Sequence, residues 1–374
     1  MKSENNYYAY AFISLNNLKN NLKIIKERIP PKTEILIPVK SNAYGFGAIE
    51  ISKFLEKEKI SFIGTAFPFE AFNLRKNNIK SKILIFNEPL YENDFFEILN
   101  QNITPTIFTE KTLLKFNSIC QKFNKKLKIH IKIDTGMGRL GVPYKKAFEF
   151  IIKASNLSNI IIDGIYSHLS SADFDKKFTL KQIKIFDEIL NKLFKNGIKP
   201  NYIHIGNSAA IINFPNLSYN LVRPGIIFYG YFPDNKIRKN IDIKPGMTLI
   251  SFLTYIKKTE PKTPISYGHT YWTKKSEIIG TVSLGYGDGL NRLLSNNHFV
   301  FVNNKKCPIR GRICMDQFMI DLTNVTNAKI GNKVLIFGEY NNKIIRLENI
   351  AEKLKTIPYE ILCNIGERVK RVYV

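Results

Sequence analysis

The stretch Glu34-Ile35-Leu36-Ile37-Pro38-Val39-Lys40-Ser41-Asn42-Ala43-Tyr44-Gly45-Phe46-Gly47 decides the fold. Glu34–Val39 is a short apolar run rich in β-branched residues, as in a strand buried on both faces. It stops at Lys40 and passes through a glycine-bearing turn into Ala48–Lys57, whose apolar residues recur at helical spacing. The unit then repeats. Further strands are expected at Ser61–Thr65, Ile83–Phe86, Thr104–Phe108, Lys128–Ile133, Ile160–Tyr166, Tyr202–Ile205 and Asn220–Val222. Helical patterns lie between them at Glu92–Gln101, Lys111–Phe123, Lys145–Ser155, Thr179–Asn196 and Ser208–Phe214. Eight strands, each followed by a helix-length segment, are what an α/β fold of the (β/α)8 TIM-barrel type needs, and we expect one over residues 15–239. A doubly wound open sheet is the structural alternative.

Beyond that region the rhythm changes. Short runs at Leu249–Ile256, Ile278–Leu284, His298–Val302, Gln317–Leu322 and Lys333–Phe337 are separated by Gly, Pro and Asn turns, with one helical pattern at Leu347–Leu354. Residues 240–374 therefore read as a C-terminal, mostly β domain. The early strand Tyr8–Ser14 precedes the barrel pattern and is grouped with that domain.

The chain has 374 residues, 44% hydrophobic and 23% charged, values ordinary for a folded protein of two domains. It contains no apolar run long enough for a membrane span, and its first residues lack the apolar core of a signal peptide, so a cytoplasmic location is expected. Cys120, Cys307, Cys314 and Cys363 form no Cys-x-x-Cys pair, which argues against a disulfide framework or a metal site. The formal charge of +25 raises the question of nucleic acid. Only 11 of the 56 basic residues are Arg, and the 45 lysines are scattered in ones and twos. Guanine and phosphate readers rely on Arg forks. Lys, Ile and Asn also share A/T-rich codons, so genome composition explains the charge better than nucleic-acid binding does.

The polar motifs fall at strand ends. Lys40, closing an apolar strand among small residues, is placed to form a Schiff base with an aldehyde cofactor, and burial there lowers an amine's pKa. Lys132-Ile133-Asp134-Thr135-Gly136-Met137-Gly138-Arg139-Leu140-Gly141 combines three glycines with an Arg fork suited to an anion. Tyr166-Ser167-His168 ends a third strand. His204-Ile205-Gly206-Asn207-Ser208 ends a fourth and opens a helix, and Val222-Arg223-Pro224-Gly225-Ile226 offers an Arg and then bare backbone N–H groups. Singly, each has an ordinary explanation: a surface lysine, a glycine turn, a structural histidine, an N-cap serine. Together they converge, because the C-terminal strand ends of a barrel share one face. In the β domain, the segments Ile265–Thr270, Gly285–Gly289 and Gly311–Gln317 serve no obvious structural need beyond that of a turn flanked by aromatics.

In their order along nearly the whole chain, from Lys40 to Tyr359, these motifs resemble the alanine racemase family. The resemblance is carried above all by Asn42-Ala43-Tyr44-Gly45 after Lys40 and by Asp134-Thr135-Gly136-Met137-Gly138-Arg139. It implies a pyridoxal 5'-phosphate enzyme with an N-terminal barrel and a C-terminal β domain, acting on alanine as a homodimer with shared active sites. It implies Lys40 and Tyr267 as the two acid/base groups, Lys40 serving the D-enantiomer and Tyr267 the L-enantiomer. Tyr44, Ser208, Gly225, Ile226 and Tyr359 match phosphate-binding positions, with Asn207 in the same shell. Arg223 matches the arginine facing the pyridine nitrogen, with His168 and His204 beside it. Arg139 matches the arginine near the substrate carboxylate, and Lys132 the position where a carbamylated lysine often orients it. Met315 would hold the substrate carboxylate through its backbone N–H, and Tyr286 and Asp316 would line the entrance. Tyr267, Tyr286 and Met315 would come from the partner subunit.

The chemistry agrees with these roles. Racemisation needs a base on one face of the α-carbon and an acid on the other. Tyrosine, with an ordinary pKa near 10, needs positive surroundings to act as a base, and a relay through His168 to Arg223 would supply them. An arginine at the ring nitrogen also makes the cofactor a weaker electron sink than an Asp would, which restrains side reactions. Phe46, Gly287, His269 and the segment Ser167-His168-Leu169-Ser170-Ser171 depart from the common pattern without removing a catalytic group. A decarboxylase of similar architecture would place an acid where Arg223 stands. A lone-barrel cofactor carrier would lack the C-terminal domain, and a racemase of broad specificity differs only in pocket size.

Overall fold

The computed structural model describes residues 7–60, 62–217, 219–234, 237 and 241–374. The segment Met1–Asn6, residue Ser61 of the expected third strand and the domain junction expected at Lys239 and Asn240 lie outside the described residues.

Strand β1 (Ala9–Ile13) comes first. The barrel strands are β2 (Glu34–Pro38), β3 (Phe62–Thr65), β4 (Lys82–Ile85), β5 (Thr104–Ile107), β6 (Leu127–Asp134), β7 (Ile160–Tyr166), β8 (Tyr202–His204) and β9 (Leu221–Val222). Every ladder from β9 through β2 round to β8 is parallel, for example Leu36↔Phe62 and Ile131↔Ile165. At the seam between β8 and β9, the Arg223 N–H donates to the Gly206 carbonyl at 2.9 Å and the Ile203 N–H to the Asn220 side chain at 2.8 Å. The fold is the expected α/β barrel rather than the open sheet.

Strand periodicity explains the continuous apolar runs. Leu36, Phe62, Leu84, Tyr202 and Leu221 point inward and form one buried cluster, while alternate residues such as Ile35, Ile37, Ile63 and Ile83 join the core beneath the helices. Full burial of each such aliphatic side chain is worth about 1.5–3 kcal/mol. The helix Ala48–Lys57 shows the complementary logic, burying Ile51, Phe54 and Leu55 at i, i+3 and i+4.

Among the helices outside the expected set, two belong to the N-terminal part of the chain. Leu15–Arg28 connects β1 to the barrel, with the Ser14 side chain accepting the Asn17 N–H at 3.2 Å. Pro68–Lys76 follows β3 and opens with Pro at its first position and Glu70 at its third. The expected helix Thr179–Asn196 starts earlier, at Lys176, because Asp175 accepts the Phe178 N–H at 2.9 Å.

The C-terminal strands are β10 (Met247–Thr259), β11 (Glu277–Val282), β12 (Phe299–Val302), β13 (Lys305–Arg310), β14 (Phe318–Asp321), β15 (Lys333–Tyr340), β16 (Lys343–Ile345) and β17 (Lys370–Tyr373). Antiparallel pairing runs β10–β11–β14–β13–β12–β15 and returns to β10, so this domain contains a closed ring of six strands. Strand β1 pairs antiparallel with β10 (Ala11↔Leu249) and parallel with β17 (Ala11↔Arg371). Helices Leu347–Leu354 and Pro358–Cys363 precede β17.

The last segment is tied to the barrel face. The Tyr373 hydroxyl donates to the Phe46 carbonyl at 2.8 Å, and Arg371 Nε donates to the Gly45 carbonyl at 3.1 Å. Gly45, at φ +83, lies so close to the Leu362 carbonyl that a Cβ there would collide with it. Among the described residues no helix is long and apolar enough to cross a membrane.

Candidate active site

Lys40 is half-buried at the end of β2. Ser41, Asn42, Ala43 and Tyr44 after it all adopt left-handed backbone, with φ between 51 and 55°. That geometry costs a non-glycine residue roughly 1–2 kcal/mol, so the turn must be held from outside. The Glu70 carboxylate does this, accepting the N–H groups of Ser41 at 2.7 Å, Ala66 at 2.6 Å and Phe67 at 3.2 Å. Asn42 adds a cap, its Oδ1 accepting the Ala48 N–H at 2.8 Å. Glu70 was absent from the expected site. Its signal was present as Pro68-Phe69-Glu70, a helix start with an acid at the third position.

Burial holds the Lys40 amine below the usual lysine range, helped by Arg139 and opposed by Glu70. Lys132, at the end of β6, is pushed down to about 7 by burial first, then by Arg139, Arg223 and Lys40. Two lysines and two arginines thus crowd one face of the barrel. Asp134 shapes the loop that presents Arg139, accepting the N–H groups of Gly136 and Met137 at 2.9 Å and that of Gly138 at 3.0 Å.

Arg223 is buried and heavily bonded. Nη1 meets His204 Nδ1, and Nη2 donates to the Ser167 carbonyl at 2.7 Å and lies 3.1 Å from His168 Nδ1. Its Nε–H is spent on no described residue. Burial, chiefly, lowers Arg223 to about 10 and holds both His168 and His204 well below the usual histidine range, with Arg223 adding to the effect on each. The histidines are therefore neutral acceptors at physiological pH. Arg223 also lies over the Tyr166 ring at 5.1 Å, and the His204 ring stacks on Tyr166 at 4.5 Å.

Two supports of this cluster carried no separate signal in the sequence. Gln182, fully buried on helix Lys176–Lys195, donates to the His168 carbonyl at 3.1 Å and accepts the Ser170 N–H at 3.0 Å. His130, on β6, meets His204 Nε2 through Nδ1 at 2.9 Å. Both are contacts between distant segments, which local pattern does not reveal.

A cradle lies beside Lys40. The Gly225 N–H donates to Ser208 Oγ at 2.9 Å, and a Cβ at Gly225 would come within 2.9 Å of the Tyr44 hydroxyl. The rings of Tyr44 and Tyr359 are 5.6 Å apart, and Tyr359 is hydrogen-bonded to Ser208. Burial raises both phenols, keeping them protonated donors at neutral pH. Three hydroxyls beside the backbone of Gly225 and Ile226 make a group suited to a phosphate dianion, with the Gly225 N–H holding Ser208 Oγ in place. Asn207 is the N-cap of helix Ser208–Asn213, accepting the Ala210 N–H at 3.0 Å and donating to the Leu169 carbonyl at 3.1 Å.

The remaining candidates form a second group on the C-terminal domain. The Tyr286 N–H donates to the Cys314 carbonyl at 3.0 Å and the Gly287 N–H to the Met315 carbonyl at 2.9 Å. Arg368 bridges Asp288 at 2.9 Å and Asp316 at 2.7 Å. Tyr267 is 70% exposed and Met315 54%. Among the described residues, no hydrogen bond joins Tyr267, Tyr286, Met315 or Asp316 to the Lys40 cluster.

Residues 13–233 match the family of the alanine racemase N-terminal domain, and residues 246–373 that of the alanine racemase C-terminal domain. The chain is 40% identical over 365 residues to alanine racemase 2 of Caldanaerobacter subterraneus subsp. tengcongensis, covering 97% of this chain and 94% of the relative. Its structure resembles alanine racemase from Clostridium difficile, with a TM-score of 0.93 and 36% identity over 99% of this chain and 96% of that one. It also resembles alanine racemase from Bartonella henselae with covalently bound pyridoxal phosphate, with a TM-score of 0.88 and 28% identity over 99% of this chain and 100% of that one.

Proposed function

The chain belongs to the alanine racemase family, and from that membership we propose that it interconverts L- and D-alanine with pyridoxal 5'-phosphate in a site shared by two subunits. Where the source is a bacterium, the D-alanine would serve peptidoglycan synthesis. One observation carries the reading: a half-buried Lys40, its amine held below the usual lysine range, stands beside a cradle of hydroxyls and a guanidinium-rich wall at the strand ends of one barrel. Tyr44, Ser208, Tyr359, Gly225 and Ile226 would hold the phosphate, with Asn207 behind them, and Lys40 the aldehyde carbon. Arg223 would face the pyridine nitrogen through the Nε–H it has left. When bound, the cofactor spreads the charge that develops at the α-carbon.

The protein's own groups do the rest. Lys40 Nζ takes or returns the proton on one face, and the burial that favours its neutral form suits it to that role. Tyr267 of the partner subunit serves the other face. His168, neutral and in contact with Arg223, gives its phenol a polarised neighbour. Arg139 and the Met315 backbone N–H of the partner subunit hold the substrate carboxylate, while Tyr286 and Asp316 line the entrance. Lys132, with a pKa near 7, is neutral often enough to take up carbon dioxide as a carbamate, an anion that Arg139 would stabilise. Arg223, paired with neutral histidines, keeps its own proton, so the ring stays a restrained electron sink.

The direct test supplies purified protein with pyridoxal phosphate and several L-amino acids and assays D-products, with absorption spectra before and after borohydride reduction. D-alanine as the main product, and a cofactor fixed to Lys40 by reduction, is the expected result. A fixed cofactor without D-products would refute the racemase reading.

A further inference from the structure

The turn that carries Tyr267 and the loop that carries Met315 are separated by over forty residues, yet one side chain reaches both. Asn296 Oδ1 accepts the Gly311 N–H at 2.6 Å, and its Nδ2 donates to Thr270 Oγ1 at 3.1 Å and to the Thr270 carbonyl at 3.4 Å. Gly311 opens the segment Gly311–Gln317, and Thr270 closes the turn after Tyr267. On the near side of that turn, Ser266 donates from Oγ to the Arg312 carbonyl at 2.6 Å. Ser295, beside Asn296, accepts the Ile313 N–H at 3.0 Å. The turn needs such help, because Ser266 and His269 both adopt left-handed backbone, at φ +67 and +50.

We propose that Asn296 is a positioning residue for racemisation, anchoring the Tyr267 turn to the neighbouring Gly311–Gln317 loop so that the phenol reaches the partner's Lys40 face at a fixed distance. The proposal rests on the reading of Tyr267 as the second acid/base group. Asn296 has no proton to exchange at neutral pH and acts through distance alone. A displacement of the order of 1 Å between reacting groups can cost about 100-fold in rate.

The test compares α-proton exchange with racemisation in heavy water, using cofactor-loaded dimer. Lys40 alone suffices to exchange the α-proton of D-alanine, whereas racemisation also needs Tyr267. Asn296→Ala is expected to lose about 10-fold or more in racemisation while exchange into D-alanine stays near that of the parent. Thr270→Val removes the shorter of the two Asn296–Thr270 bonds, leaving the one to the carbonyl, and should move the ratio the same way by a smaller factor, which settles the matter if Asn296→Ala does not fold. Amide exchange at Gly311 reads the clamp without turnover: its protection should fall in Asn296→Ala and persist in Thr270→Val. Exchange and racemisation falling together, or an unchanged ratio, overturn the proposal. Tyr267→Phe separates the two layers of the argument. If that variant fails to divide exchange from racemisation, the reading of Tyr267 fails; if it divides them and the Asn296 and Thr270 variants do not, the clamp alone fails.

Discussion

The two barrels of this chain present their polar residues in opposite ways. On the α/β barrel, Lys40 is half-buried and Lys132 and Arg223 are buried, crowded by like charge, and Arg223 is held by His204, His168 and the Ser167 carbonyl. On the C-terminal six-stranded ring, Tyr267, Tyr286 and Met315 stand in solvent. A buried wall on one domain and an exposed set of candidate groups on the other make, by themselves, half of the proposed site. The contrast is what the proposed shared site predicts, since in a symmetric pair each subunit can complete the other.

The contrast can be broken most severely at the finished wall. Lys40→Ala is expected to abolish the visible absorption of bound cofactor and to lower racemisation by at least about 10³-fold, since the variant would lose both the proposed anchor and one proposed base. A Lys40→Ala protein that keeps borohydride-fixable cofactor would show that another lysine is the anchor.

The next test concerns how that wall is held. Glu70→Ala removes one carboxylate that accepts three backbone N–H groups, and should cost about 1.5–3 kcal/mol in chemical denaturation. Because the loss falls on the left-handed turn after Lys40, cofactor affinity should drop as well. Unchanged affinity would mean that the turn holds itself.

Burial, reinforced by charge crowding, predicts a pH dependence. Lys132 sits at about 7 in the folded chain against 10.5 as an ordinary lysine. Between those values the unfolded chain binds more protons at this position than the folded one, so stability of the cofactor-free protein should rise with pH across that window. Lys132→Met should flatten that slope, as read from melting temperatures at a series of pH values. An equal slope in the variant would place the effect elsewhere. The smallest expected change is Tyr373→Phe, which removes the tail's bond to the Phe46 carbonyl and should cost about 0.5–1.5 kcal/mol, measured as a shift in denaturation midpoint.

These effects differ in how visible they were in the sequence. The barrel strands were legible because burial on both faces writes uninterrupted runs such as Ile35–Val39, and their C-terminal ends carried the motifs that the fold brings to one face. Helix Pro68–Lys76 went unread because its apolar periodicity is weak, although Pro68 and Glu70 marked its start. Leu15–Arg28 is half Asn and Lys, which blurs its buried stripe of Leu18, Leu22 and Ile25. In the C-terminal domain the ring strand Lys305–Arg310 and the edge strand Lys370–Tyr373 are rich in basic residues and do not alternate cleanly. Closure of the six-stranded ring is a non-local property that pairing reveals and composition does not. The supports Gln182, His130 and Asn296 belong to the same class, since each acts on a segment at least a dozen residues away.

The central claim is that Lys40 of one chain and Tyr267 of another serve the same alanine. Mixing inactive Lys40→Ala and Tyr267→Phe dimers, with exchange of subunits, tests it most directly. Each mixed dimer would then contain one site with both groups intact, and an equal mixture should recover about a quarter of the parent activity. Subunit exchange verified by mass with no recovered activity would show that both groups act within one chain, and would contradict the shared site.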